Sequence, residues 1–119
     1  FRSVATPQTL VKNQAMVVNS VDGADRFYQF NVPKGVASMT VTSVDPPTTQ
    51  YHYYPPYPQL MQAGHSTFSV DTCYYYSANG GSTKGVKCTV YGPAAGNYAV
   101  KFVSPYGTDY SGAGLSVSW

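Results

Sequence analysis

The chain has 119 residues and a net charge of +2, with 12 tyrosines, 11 glycines and 9 prolines. This length fits one domain, and the wealth of Tyr, Val, Thr and Ser favours β-sheet and turns over helix. The seven basic residues are scattered and no stretch of 18 apolar residues occurs, so the sequence predicts neither a nucleic-acid-binding patch nor a membrane span.

The first residues predict a linker rather than part of the fold. Residues 1–8 show no alternation and contain Pro7, so we expect the domain to span residues 9–119. Short strands are predicted at 9–11 and 15–18. Because the chain begins at Phe rather than Met, we expect it to be a mature or excised part of a longer protein.

Two alternating segments follow. Apolar and polar side chains alternate in residues 27–32 and again in 36–44, which is typical of half-buried strands. Residues 33–35, Pro-Lys-Gly, predict a turn between them, and the pair is interpreted as a β-hairpin. The side chains predicted to be buried are Tyr28, Phe30, Val32, Ala37, Met39 and Val41.

Residues 45–64 break the alternation. They hold five prolines and four tyrosines, a proline density that central strands do not tolerate. We expect an extended loop of polyproline character here, with a short edge strand at residues 51–54.

Alternation returns in the second half of the chain. Residues 92–96, Gly-Pro-Ala-Ala-Gly, predict a sharp turn, and residues 105–114 predict another turn region. The alternating segments are 68–70, 86–90, 98–103 and 115–119. Many short strands divided by Gly/Pro turns predict an all-β fold, an antiparallel, jelly-roll-like β-sandwich of about eight strands.

The two cysteines, Cys73 and Cys88, flank one glycine-rich loop. They predict a disulfide across neighbouring strands and an extracellular, secreted protein. Two buried free thiols are the alternative. A zinc site is not expected, because His52 and His65 lie far from any C-x-x-C motif.

The sequence holds no legible catalytic constellation. Its five acidic residues are all Asp and are dispersed, so they do not indicate a carboxylate pair for glycoside hydrolysis. Neither a G-x-S-x-G elbow nor a phosphate-binding loop occurs. Asp22 and Asp25 are interpreted as turn residues. We therefore expect a protein that is not an enzyme.

Clustered tyrosines are the remaining functional signal. Tyrosine presents a large apolar ring and a hydroxyl at low entropic cost, which suits binding surfaces. Consecutive tyrosines on a strand point to opposite faces, so they cannot all be core residues. The alternative is that the rings pack on one another and cover a thin sandwich. The predicted ligand-binding residues are Tyr51, Tyr53, Tyr54, Tyr57, Tyr74, Tyr75 and Tyr76.

The order of several short motifs resembles the bacterial pre-peptidase C-terminal domain, over roughly residues 9–119. The motifs are FYQFNVPKG at 27–35, VASMTVT at 36–42, DTC at 71–73, CTV at 88–90, PAAGNYAV at 93–100 and Tyr110-Ser111-Gly112-x-x-Leu115-x-Val117. That family is a β-sandwich appended to secreted proteases and other exported hydrolases. It is similar to the collagen-binding domains of clostridial collagenases.

The resemblance implies a non-catalytic accessory domain that helps a parent catalytic domain hold an insoluble polymer such as collagen or chitin, or assists secretion and maturation. The family's Asp-x-Asp pair is replaced here by residues 50–54, QYHYY, so no tight calcium site or other cofactor is expected. A calcium ion held by Asp22, Asp25 or Asp45 is the alternative. The competing functions are a free-standing carbohydrate-binding module and a surface adhesin subunit.

Overall fold

The computed structural model describes residues 8–20, 25–46, 57–62, 72–81, 83–103 and 110–119. β-Strands dominate these residues, and their one helical element is a 3-10 turn at Asn79–Gly81. No described helix is long and apolar enough to cross a membrane. The strands are β1 (Gln8–Thr9), β2 (Met16–Ser20), β3 (Arg26–Val32), β4 (Ser38–Val44), β5 (Tyr57–Gln62), β6 (Thr72–Ala78), β7 (Thr83–Tyr91), β8 (Gly96–Val103) and β9 (Tyr110–Ser118).

These strands form two sheets. One has four strands in the order β1-β3-β8-β5, and the other has five in the order β2-β9-β4-β7-β6. The short pairing of β1 with β3 is parallel, while the other pairings of both sheets are antiparallel. The predicted all-β sandwich is confirmed.

The core is built from the alternating side chains that each sheet turns towards the other. Phe30 of β3 and Tyr98 of β8 stack with ring centres 5.6 Å apart, and Trp119 lies 6.3 Å from Phe30. The Tyr98 hydroxyl donates to the Ala94 carbonyl at 2.8 Å, which fastens the turn between β7 and β8. Alternation therefore predicted most buried side chains correctly, with Ala37 as an exposed exception just before β4.

The predicted hairpin between residues 27–32 and 36–44 is wrong. β3 pairs with β1 and β8 in the four-stranded sheet, whereas β4 pairs with β7 and β9 in the other. The connection of residues 33–37 carries the chain from one sheet to the other. Alternation predicts which face of a strand is buried. Strands of both sheets show the same alternation, however, so the pattern does not predict which strands pair with each other.

Two loop predictions also need correction. Residues 57–62 form strand β5 rather than an extended loop, and Pro58 is tolerated because β5 lies at a sheet edge. The predicted turn at 105–114 ends early, since β9 begins at Tyr110 and takes in Gly112, whose φ is 83°. The strands predicted at 51–54 and 68–70 lie outside the described residues.

Candidate binding site

The disulfide between Cys73 and Cys88 joins β6 to β7. The two residues are direct cross-strand partners, and their Cα atoms are 4.0 Å apart. The Cys88 side chain is completely buried, whereas Cys73 is exposed at the sheet edge. The predicted disulfide is confirmed, and such a bond fits an oxidising, extracellular environment.

A groove of about 110 Å³ runs between β5, at the edge of the four-stranded sheet, and β6, at the edge of the other. It brings Tyr57 together with Tyr74 and Tyr75, although the two sets are far apart in the sequence. We call this surface the tyrosine groove. Its lining residues are Tyr57, Pro58, Cys73, Tyr74, Tyr75 and Val86.

The rings of the tyrosine groove differ in exposure. Tyr57 is half-buried and packs against the hydrophobic core. Tyr74 is 47% exposed and Tyr75 is 75% exposed. Tyr75 lies opposite the buried Val86 and so belongs to the inner face of its sheet, which extends past β5 at this point. The groove thus combines the Tyr57 ring, which is fixed by packing, with the Tyr75 ring, which is open to solvent.

Tyr76 occupies a different position from its two neighbours. Its hydroxyl donates to the Ser43 carbonyl at 2.9 Å, and its cross-strand partner is Gly85. The Lys87 ammonium lies 4.9 Å from the centre of the Tyr76 ring. Because Tyr76 reaches across β7 to β4, its ring and hydroxyl stabilise the five-stranded sheet.

Ser43 of β4 contacts β7 through its side chain, while its carbonyl accepts from Tyr76. The Val86 amide donates to Ser43 Oγ at 3.0 Å. Ser43 Oγ in turn donates to the Val86 carbonyl at 3.4 Å. A Cβ atom on Gly85 would lie 1.8 Å from the Ser43 carbonyl oxygen, so this position requires glycine. Sequence reasoning missed this arrangement, and an isolated glycine inside a strand was its one signal.

The pKa of the Tyr76 hydroxyl lies above its ordinary value, mainly because burial disfavours the phenolate, with a further contribution from the Asp45 carboxylate. The hydroxyl is therefore held in the protonated form that donates to Ser43. Burial likewise raises the pKa of Tyr28, and the Arg26 guanidinium partly opposes this effect.

A pH dependence of stability follows from these shifts. A tyrosine whose pKa is higher in the folded state stabilises the fold below its unfolded pKa, about 10, and loses that contribution as pH rises. We expect the free energy of unfolding to fall above about pH 10, and Tyr76→Phe to make the fall shallower. Urea unfolding of both proteins from about pH 8 to about pH 11 measures this. Tyr91→Phe, on an exposed ring, is the matched control. An unchanged slope in Tyr76→Phe would contradict the prediction.

Several residues considered in the sequence analysis lie outside the described residues. They are the predicted ligand-binding residues Tyr51, Tyr53 and Tyr54, and the residues considered as metal ligands, His52, His65 and Asp22. Asp25 forms an ion pair with Lys101 at 3.5 Å. The main-chain amide of Asp45 donates to the Lys84 carbonyl. Within the described ranges, no group of three or more His, Cys, Asp or Glu side chains could hold a metal ion.

Comparison with known proteins adds no relative, since no family model, curated protein or solved structure matches this chain.

Proposed function

We propose that this chain is a non-catalytic accessory domain of a secreted bacterial hydrolase, most simply a protease, and that it holds the parent enzyme on an insoluble polymer such as collagen or chitin. The observation that carries the proposal is the tyrosine groove, where Tyr57, Tyr74 and Tyr75 meet at the junction of the two sheet edges. The order of short motifs in the sequence, which resembles that of pre-peptidase C-terminal domains, supports the accessory role.

The chemistry of the tyrosine groove favours a neutral polymer with flat or ring-shaped units. None of its six lining residues is an Asp, Glu, Lys, Arg or His, so the groove offers no ionic pairing to a charged chain. Tyrosine rings present apolar faces on which sugar or proline rings stack, and their hydroxyls remain available to donate hydrogen bonds. The function that fits is adhesion to a repeating surface.

Rigidity of the groove supports binding as well. Tyr57 is held by the core, and the Cys73–Cys88 disulfide ties β6 to β7. A binding surface that is already ordered loses less conformational entropy when its ligand arrives. The groove can therefore bind through few contacts.

Truncating the groove tyrosines is expected to release the domain from polymer. Tyr57→Ala together with Tyr75→Ala should weaken retention on collagen or chitin at least tenfold, because truncating one interface hot spot costs about 2 kcal/mol. Tyr91→Ala is the matched control, since Tyr91 is 74% exposed and lies outside the groove. Pull-down on insoluble polymer measures retention, with circular dichroism to check folding.

Two results would contradict the proposal. A wild-type domain that binds no polymer would leave export or maturation of the parent enzyme as the accessory role. Equal losses in Tyr91→Ala and in the groove variant would indicate non-specific adhesion. The gene distinguishes this proposal from a free-standing carbohydrate-binding module or an adhesin. An accessory domain is encoded in the same gene as a hydrolase domain, whereas a free-standing module is not.

A further inference from the structure

The described sandwich has four edge strands, β1, β5, β2 and β6, and the first three carry a feature that discourages pairing with another chain. β5 contains Pro58, and β1 is only two residues long. The pairing of β2 with β9 is irregular between Val18 and Ser20, and the Asn19 carbonyl accepts a bond from Arg26 Nε at 3.0 Å. Proline, short length and bulges are recognised protections of sheet edges.

The fourth edge strand, β6, has none of these features. It is seven residues long, and its sequence TCYYYSA contains no proline and no charge. Its register with β7 is continuous from Thr72 to Ala78. A long, uncharged, aromatic edge strand of this kind is a template for strand addition.

The disulfide identifies which main-chain groups of β6 point outward. In an antiparallel ladder, partners with the closer Cα atoms form the pair that exchanges no main-chain hydrogen bonds. Cys73 and Cys88, with Cα atoms 4.0 Å apart, are such a pair. Cys73, Tyr75 and Ser77 therefore direct their N–H and C=O groups away from β7. No strand in the part of the chain that the structure describes pairs with them.

We propose that a second copy of this chain pairs with that edge, β6 against β6, in an antiparallel register centred on Tyr75. Tyr75 then lies opposite Tyr75 of the second copy, Tyr74 opposite Tyr76, and Cys73 opposite Ser77. This register aligns the whole strand with itself. It also matches the outward main-chain groups, because each pair among Cys73, Tyr75 and Ser77 exchanges both of its hydrogen bonds.

The sequence of β6 favours β6 of a second copy of the chain as the strand that pairs with this edge. Like charges placed opposite each other in a self-pairing destabilise it, and β6 carries none. Cross-strand aromatic pairs stabilise antiparallel sheets, and this register gives three tyrosine pairs in a row. Each exposed ring of Tyr74 and Tyr75 thereby gains an aromatic neighbour along the sheet. A closed two-fold pairing also ends the assembly at a dimer and leaves no β6 edge for further addition.

The pairing has a consequence that rests on the proposed function. Antiparallel partners in one sheet turn corresponding faces to the same side, so the two tyrosine grooves lie on one side of the extended sheet. A polymer long enough to reach both is held by two sites, and the second contact raises retention without any new kind of interaction.

Sedimentation velocity across micromolar to millimolar concentrations tests the dimer. We expect a monomer–dimer equilibrium for the wild type, with Kd raised about tenfold or more in Ser77→Pro, because each copy loses one intermolecular hydrogen bond. Proline at 77 removes an N–H that does not bond to β7. Ser77→Thr keeps this N–H and is the matched control, expected to dimerise like the wild type. A wild type that stays monomeric, or a dimer that Ser77→Pro leaves unchanged, would overturn the proposal.

Amide hydrogen exchange on the wild type tests the same register without a substitution. The amides of Cys73, Tyr75 and Ser77 should become protected as concentration rises, while those of Tyr74 and Tyr76, which face β7, should be protected at every concentration. If the exchange rates of these three amides do not change with protein concentration, the pairing is refuted.

Separate variants distinguish failure of the dimer from failure of the proposed function. Tyr57→Ala lies on β5 and should reduce polymer retention while leaving the dimer intact. Ser77→Pro should weaken the dimer about tenfold or more and leave each groove able to bind polymer with single-site affinity. A monomeric wild type that still binds polymer through Tyr57 would therefore refute the dimer alone.

Discussion

Replacing Gly85 with alanine is expected to lower the free energy of unfolding by about 3 kcal/mol or more. The added Cβ would lie 1.8 Å from the Ser43 carbonyl oxygen and 3.0 Å from Cε1 of Tyr76. The Ser43 backbone cannot yield easily, because its side chain exchanges hydrogen bonds with the main chain of Val86. Relief of the clash therefore has to open the β4–β7 ladder or expel the Tyr76 ring.

Gly114→Ala provides the matched control for Gly85→Ala. Gly114 lies on β9, on the other side of β4, and its added Cβ would lie 3.3 Å from the Val44 Cβ, a side-chain atom near the surface. A small shift of Val44 accommodates that methyl, so we expect a change within about 1 kcal/mol. Denaturant unfolding of both variants measures the difference. Equal destabilisation would show that the Ser43 carbonyl is not the cause.

Burial was predictable because it follows a local rule. In residues 98–103 the pattern alone selects Tyr98, Val100 and Phe102, and all three are buried. A strand's two faces are set by its own pleat, so neighbouring residues contain the information. The same reasoning identified the buried faces of β3 and β4 apart from Ala37.

Strand pairing was not predictable in the same way. β3 and β4 are adjacent in sequence and joined by a short connection, which favours a hairpin on local grounds. Their actual partners include β8 and β7, more than forty residues away for each pair. Such contacts depend on how two whole sheets enclose one core, and a turn of a few residues carries no information about that.

The candidate site shows the same division. The three consecutive tyrosines of β6 are chemically identical, yet Tyr76 stabilises the sheet while Tyr75 lies in the tyrosine groove. The difference comes from β7, where Tyr76 lies opposite Gly85 and Tyr75 lies opposite Val86. Tyrosine richness predicts a binding surface without distinguishing the three rings, and the position of each ring depends on its cross-strand partner.

Loss of the Cys73–Cys88 disulfide is expected to lower the free energy of unfolding by about 3 kcal/mol, the value for a closed loop of this length in the chain-entropy model. The two cysteines are 15 residues apart in sequence. Because β6 has β7 as its one described neighbour, the bond also holds an edge strand whose far side has no described partner. Unfolding in denaturant with and without reductant measures the effect.

The control is the double variant Cys73→Ala/Cys88→Ala, whose stability should not respond to reductant at all.

We also expect reduction to weaken polymer retention, since Cys73, Tyr74 and Tyr75 all lie on β6 and line the tyrosine groove. The loss should be smaller than that of the Tyr57→Ala/Tyr75→Ala variant, because reduction leaves the rings in place. Intact mass before and after reduction should differ by two hydrogens. Free alkylation of both thiols in the native, unreduced protein would contradict the prediction.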